Sequence, residues 1–246
     1  MIHSSAIVSK HAQIGDNVEI GPYSIIHDNV VLYDNVRIGS HCEIGLPVAG
    51  LEESPLIIKN NANIRSHSVF YTASIFDEGL VTGHRVTVRE KTIAGKGFQC
   101  GTLSDIQGDC IIGDYVKTHS NVHIGQKTTI EDYVWIFPYT VITNDPHPPS
   151  NTLIGCTIKK YAVVATMSVI LPGKTIGEGA LIAAHSSVNR DIPNDVIAAG
   201  SPAKIIAPTN KIKLTSDAEE SAYPWRKHFH RGYPKEVVEE WIREFS

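Results

Sequence analysis

The sequence predicts an all-β rod of stacked parallel strands, and three observations carry that prediction. An aliphatic side chain recurs at every sixth position, beginning Ile2, Val8, Ile14, Ile20, Ile26, Leu32, Ile38 and Ile44. Four residues after each comes a small or branched one: Ala6, Ala12, Val18, Ser24, Val30, Val36, Cys42 and Val48. Aromatic residues are sparse at 7%, whereas Ile, Val and Leu supply 62 of the 246 residues, which suits a β-rich core of small branched side chains. Neither a helix nor an ordinary strand has a period of six. A strand plus a turn does, and three such hexads make one triangular coil of 18 residues.

The first block of hexads runs to Val48, and the phase breaks near 49–57. The beat resumes at Ile58 and holds to Ile142, with Phe70, Phe76, Thr82, Ala94, Cys100 and Thr118 among the residues on it. A second break covers 146–157, and a third block carries Ile158, Val164, Ile170, Ile176, Ile182 and Val188. In all, 23 of 29 beat positions hold Ile, Val or Leu. Coils stacked at the ~4.8 Å interstrand spacing make about ten layers and a rod about 45 Å long. Gly, Asp and Asn after beat residues, as in Ile14-Gly-Asp-Asn, suit tight corners. The rod is expected over 1–206, with the two breaks as loops leaving a corner.

Residues 207–246 form a tail. Val237, Val238, Trp241, Ile242 and Phe245 fall at helical spacing, so a short amphipathic helix is expected from about Pro234, packed on the rod or on a neighbouring subunit. The aromatic and basic stretch 223–233 reads first as tail packing, with contact to a substrate or a neighbour as the alternative. Cys42, Cys100 and Cys110 fall on inward positions and read as core fillers.

Net charge is −4, so no general basic field invites nucleic acid. No apolar run approaches the ~20 residues of a membrane helix. The start lacks a basic region followed by an apolar core, and four cysteines without a CxxC pair suit a reducing compartment, so a cytoplasmic location is expected.

Two segments sharpen the function. Val141-Ile-Thr-Asn-Asp-Pro-His-Pro-Pro149 leads into the second break, and Ala199-Gly-Ser-Pro-Ala-Lys-Ile205 closes the rod. With the six-residue beat, these resemble the hexapeptide-repeat acyltransferases, most of all the branch that N-acetylates amino sugars on nucleotide carriers. The resemblance implies a left-handed parallel β-helix, a homotrimer, acetyl-CoA as acyl donor, a nucleotide-sugar substrate and no metal. Such an enzyme serves surface-polysaccharide or glycan precursor synthesis. A prism with flat faces also offers contacts that close by threefold rotation.

Residues 18 apart stack, so Glu90, Gly108, Gln126 and Asn144 form a column, with Asn144 and Glu90 three coils or about 14 Å apart. On the implied layout, catalysis falls to Asn144, Asp145, His119 and His123. Acetyl-CoA lies along the C-terminal coils, where small Ala165, Ala183 and Ala184 admit the pantetheine arm and Lys204 meets a phosphate. The amino sugar lies near His119, Asn121, His123, Gln126, Asn144 and Asp145, and its nucleotide reaches Glu90, Arg89 and His84. His147, beside Pro148, is a further candidate. A histidine is the natural base, although Asp145 can instead orient the amine while the leaving thiolate takes the proton. Asn144 and Asp145 also suit the cap of the turn that launches the loop.

Sugar hydroxyl transfer and acyl transfer from acyl carrier protein are alternatives within the class. A different class is a zinc hydratase on the same fold, for which His84, His119 and His123 are the triad. Their steps of 35 and 4 miss the 36 and 5 of the gamma-class carbonic anhydrases, and zinc tolerates little such error. A non-catalytic scaffold is the third reading.

Overall fold

The computed structural model describes all residues, 1–246. It is a left-handed parallel β-helix whose three faces are sheets of ten, nine and eleven strands. Face 1 starts at Ile7–Val8 and includes His123–Ile124 and Val141–Ile142; face 2 starts at Gln13–Ile14; face 3 starts at Glu19–Ile20 and includes Lys117–Thr118 and Trp135–Ile136. Most strands are two residues long.

The stacking rule holds through the register. Ile7 pairs with Ile25, Ile75 with Ile93, and Asp105 with His123, each 18 residues on. The two breaks lengthen the step without disturbing the faces. Glu43 pairs with Val69, and Thr129 with Thr157. Both excursions leave from the corner between faces 1 and 2, because each follows a strand of face 1 and precedes one of face 2. The first is shorter than the phase break suggested, since Leu56 already lies in a strand and is buried with Ile58.

Beat residues point inward and merge into one core of 43 buried side chains, from Val18 to Ala203. The four cysteines are buried and unpaired, as expected of Cys42, Cys100 and Cys110, and Cys156 joins them. The tightest aromatic contact inside the rod is Phe70 edge-on to Phe76, 5.1 Å between centroids. Corners carry their own ladders. The Asp34 side chain accepts the Asp16 N–H at 2.8 Å, and the Asp132 side chain accepts the Asp114 N–H at 2.9 Å. Buried hydroxyls satisfy corner carbonyls inside the rod, with Thr92 Oγ1 donating to Arg89 at 3.0 Å and Thr128 Oγ1 to Gly125 at 2.7 Å. Every buried side-chain nitrogen and oxygen has a partner, which removes the main cost of interring them.

The end of the rod departs from the repeat. Val196–Ala199 continues face 3 in parallel, but Lys204–Pro208 turns back antiparallel against it. The hairpin covers the edge that an open parallel stack would present.

The tail packs on face 3 of its own chain. The helix spans Lys235–Glu244, preceded by Pro234, and buries Val237 and Trp241. Ile242 stays 51% exposed, so the apolar stripe is only partly used. Trp241 meets Tyr133 and Tyr233 at centroid distances of 5.2 and 4.8 Å, and Tyr115, Tyr133 and Tyr161 stack up the rod at 5.6 and 5.3 Å. The stretch 223–233 is therefore packing in large part. Trp225 Nε1 donates to the Tyr161 carbonyl at 2.9 Å, and Trp135 Nε1 to the Tyr233 hydroxyl at 2.6 Å.

Gly108 holds its place in the column for a backbone reason. Its φ is +90°, and a Cβ there would lie 2.5 Å from the Glu90 carbonyl oxygen, so the glycine serves coil stacking. Gly108→Ala is expected to cost roughly 1–3 kcal/mol. Gly50→Ala, where φ is +82° but nothing lies within 4 Å, should cost only the left-handed backbone, about 1 kcal/mol. Urea midpoints of the two variants test the difference.

Candidate functional site

Face 1 carries a histidine held by a carboxylate. His123 and Asp105 sit opposite each other on adjacent coils, with Nδ1 and Oδ2 3.1 Å apart. The Gln107 amide donates to the same oxygen. These bonds, the histidine's first, hold the Asp105 carboxyl below its usual pKa, with the Arg89 charge adding to the effect. Such a carboxylate fixes the tautomer, because a proton on Nδ1 leaves Nε2 free as an acceptor. Asp105 was not among the residues singled out in the sequence, yet it lies 18 before His123 and the stacking rule reaches it.

The corner between faces 1 and 2 borders this pair and bears the column. The registers Thr87–Asp105–His123–Val141 bring Glu90, Gly108, Gln126 and Asn144 into line three residues further on. Arg89 and Glu90 form a two-pronged ion pair at 2.8 and 3.2 Å, so their charges compensate each other. The Asn144 side chain lies over Gly125, where a Cβ would be 3.1 Å from it. The Asn144 carbonyl accepts the Ile154 N–H at 2.7 Å and closes the neck of the second loop. Asp145 accepts the backbone N–H groups of His147 and Ser150, both at 2.9 Å, and the Ser150 hydroxyl at 2.7 Å. The Ser150 bonds are the main cause of its lowered pKa. Its oxygens thus organise the loop, and His147 sits exposed on that loop.

The remaining residues lie along the opposite edge of face 1, at its corner with face 3. His84, His119, Asn121, Ala165, Ala183 and Ala184 all occupy that corner. His84 Nδ1 meets Ser66 Oγ at 2.7 Å. Asn121 holds a left-handed turn at φ 60°. Lys204 is exposed at the start of the antiparallel strand. Within one chain, His119 and His123 are not brought together, although both point outward. The His119 ring stacks on Phe137 at 4.8 Å and lies 6.1 Å from Trp135, toward face 3. It keeps an open edge to solvent, and the burial that remains lowers its pKa. No three histidine, cysteine or carboxylate side chains gather as a metal site.

Between face 3 and the tail the structure holds two clefts that sequence reasoning missed. One, about 550 Å³, is lined by Arg65, Lys117, His119 and Arg231 among polar neighbours. The other, about 630 Å³, is mostly apolar and shares Trp135 and Phe229 with the first. Lys117 is the unusual member, since it is 7% exposed. Its Nζ lies 3.8 Å from the Tyr233 ring centre and 5.0 Å from that of Trp135, with the carbonyls of Gly232 and Arg231 at 3.3 and 3.5 Å. The repeat marks position 117 as outward and hence polar. Nothing in it says that a tail 114 residues later covers the position.

No family model matches the chain. It is 29% identical over 177 residues, 72% of its length, to a bifunctional protein GlmU of Thermotoga petrophila. It is 34% identical over 113 residues, 42% of its length, to an acyl-[acyl-carrier-protein]–UDP-N-acetylglucosamine O-acyltransferase of Rickettsia peacockii. The chain spans 38% of the length of each. Among solved structures, a UDP-N-acetylglucosamine acyltransferase from Campylobacter jejuni aligns with 100% of this chain and 83% of its own at 20% identity and a TM-score of 0.40. The chain is thus similar over part of its length to both relatives, and it carries the six-residue repeat along its rod.

Burial drives the Lys117 ammonium from 10.5 to about 8. Below pH 8 the group is charged whether folded or not. Between about 8 and 10.5 the unfolded chain holds the proton and the folded chain does not, so this residue's contribution to stability rises with pH across that window. Denaturant titrations at pH 7.5 and 10 should show wild type gaining roughly 2–3 kcal/mol relative to Lys117→Met. A constant difference would mean that the ammonium is not buried.

Proposed function

We propose that the chain is a hexapeptide-repeat acyltransferase that moves an acetyl group from acetyl-CoA to the amino group of a nucleotide-linked amino sugar, as in the making of glycan precursors. The observation that carries this reading is the His123–Asp105 pair next to the Asn144 corner. The Thr-Asn-Asp element and the Gly-Ser-Pro-Ala-Lys ending support the acceptor and the donor in turn.

The chemistry follows from that pair. The amine nitrogen attacks the thioester carbon, and a C–N bond forms as the carbonyl becomes an oxyanion. His123 takes the amine proton at Nε2 while Asp105 stabilises the resulting imidazolium. The Asn144 amide is assigned to the oxyanion. Collapse breaks the C–S bond, and the CoA thiolate leaves with the proton from His123. Asp145, whose oxygens are occupied by the loop, acts by holding that loop rather than by touching substrate.

The donor-wall alanines and the acceptor residues Gln126 and Asn144 lie on opposite edges of face 1, with His84, His119 and Asn121 on the donor edge, so a complete groove calls for two chains. We propose a trimer in which one chain supplies Asn144 and Gln126 and its neighbour the wall of Ala165, Ala183, Ala184 and Lys204. Support comes from face 2, whose outward column Ile75, Ile93 and Ile111 is 39%, 51% and 56% exposed in the single chain. Apolar ladders of this kind favour burial against a copy. This face borders the Gln126–Asn144 corner.

A second reading is O-acylation from acyl carrier protein. The name of the Rickettsia relative states that donor and a UDP-N-acetylglucosamine acceptor, and a hydroxyl nucleophile needs a base such as His123 more than an amine does.

Thiol release from acetyl-CoA across a panel of nucleotide amino sugars tests the first reading. His123→Ala should lower turnover about 10²–10⁴-fold, and Asn144→Ala about 10²-fold or more, with unchanged circular dichroism. Undiminished rates in both variants would remove this site, and acceptance of acyl carrier protein with a hydroxyl sugar alone would move the assignment to the second reading. Sedimentation should show three chains for wild type and one for Ile93→Arg, whereas a monomeric wild type would deny the shared groove.

A further inference from the structure

The cationic cleft between face 3 and the tail is not used by the acyl-transfer chemistry above. Four basic side chains line it, Arg65, Lys117, His119 and Arg231, and no Asp or Glu is among its lining residues. The rod supplies three of them and the tail supplies Arg231. Arg65 and His119 occupy the same corner position three coils apart, about 14 Å along the axis. Lys117 is buried at one wall, and its neighbours are rings and carbonyls rather than a carboxylate. A buried ammonium without a counter-ion is costly unless an anion completes its surroundings. Phe229, 42% exposed, and Trp135 present ring surfaces at the tail end of the cleft, 5.4 Å apart and edge to face. Gln99 and Thr102 add hydrogen-bonding groups on the coil between Arg65 and Lys117, and Ser120 adds one beside His119.

We propose that this cleft is a binding site for a nucleoside diphosphate, separate from the acyl-transfer site on face 1. The diphosphate lies among Arg65, Lys117 and Arg231, and the base lies against Phe229 and Trp135. The length of the cleft suits such a ligand, and its lining offers both the cations and the ring surfaces that a diphosphate and a base require. Because Arg231 and Phe229 belong to the tail and Arg65 and Trp135 to the rod, occupancy ties the tail to the rod. Anything that binds only the docked form stabilises it by mass action.

Trp135 is one of three tryptophans and lines the cleft, so its fluorescence reports binding. Titration of the full chain with uridine diphosphate or adenosine diphosphate should give saturable quenching below about 1 mM. Affinity should weaken as salt rises, since exposed charge pairs are screened. Inorganic pyrophosphate and uridine should each bind at least tenfold more weakly. Arg65→Ala with Arg231→Ala, both at exposed positions, should weaken the diphosphate at least tenfold while the helical circular dichroism and the His123-dependent thiol release remain. The bound ligand should also slow proteolysis of the tail. The proposal is overturned by absence of quenching in wild type, by unchanged affinity in the double variant, by pyrophosphate binding as tightly as the nucleotide, or by dodecyl phosphate binding more tightly than it. It is also overturned if His123→Ala abolishes the quenching, because the nucleotide would then sit on face 1.

Discussion

The constraint on which the structure depends is the hydrogen-bonded rung. Each outward strand residue donates its N–H to the coil above, as Ile7 does to Ser24 and Asp105 to Val122, at 2.9 and 3.0 Å. A coil must therefore return to the same three corners after 18 residues, or the ladder loses its partners. Insertions survive only as excursions that leave and re-enter at one corner, which both loops do. The consequence for function is that chemistry is assembled vertically. Asp105 and His123 meet because they occupy equivalent places on successive coils, not because a turn brings them together.

That constraint explains what could be read in advance. The faces, the inward columns, the cysteine fillers and the course of Asn144, Gln126, Gly108 and Glu90 all follow from arithmetic on the chain. The same arithmetic applied to His123 would have reached Asp105. What it does not encode is rotation about the rod. Positions 119 and 123 are both outward and only four apart, yet a corner separates them, and their side chains serve different faces. Period six states that a residue points out; the face must be counted from the corner.

The tail is a second limit, of a different kind. Its helix was legible from the spacing of Val237, Val238, Trp241 and Ile242, but its docking place was not. Helical periodicity identifies an apolar stripe without naming the surface that covers it. Here that surface is the aromatic column Tyr115, Tyr133 and Tyr161 with Trp135, residues that the repeat marks only as outward. Their clustering toward the C-terminal half of the rod, in a chain with 7% aromatics, was the available signal. The return strand Lys204–Pro208 was hidden for a related reason, since the Gly-Ser-Pro turn before it closes a hairpin in a segment that otherwise resembles one more coil.

The three faces end with unequal surfaces, and the inequality orders their roles. Face 3 is polar toward the N-terminus and aromatic toward the C-terminus, where the chain's own tail occupies it, so a neighbouring rod cannot rest flat there. Face 2 has no such cover and carries the isoleucine ladder Ile75, Ile93 and Ile111 up its middle coils. Face 1 bears the polar pair Asp105 and His123, flanked in its own column by Val69 and Thr87 on one side and Val141 and Val169 on the other. An apolar face seeks contact, and on the proposed chemistry the paired histidine must stay reachable by substrate. Packing through face 2 satisfies both demands, because it leaves face 1 open along the side where the loops emerge. In the trimer proposed above, the loop neck at Asn144 stands at the seam between two rods, where a residue of the first chain can meet a substrate lying against the second.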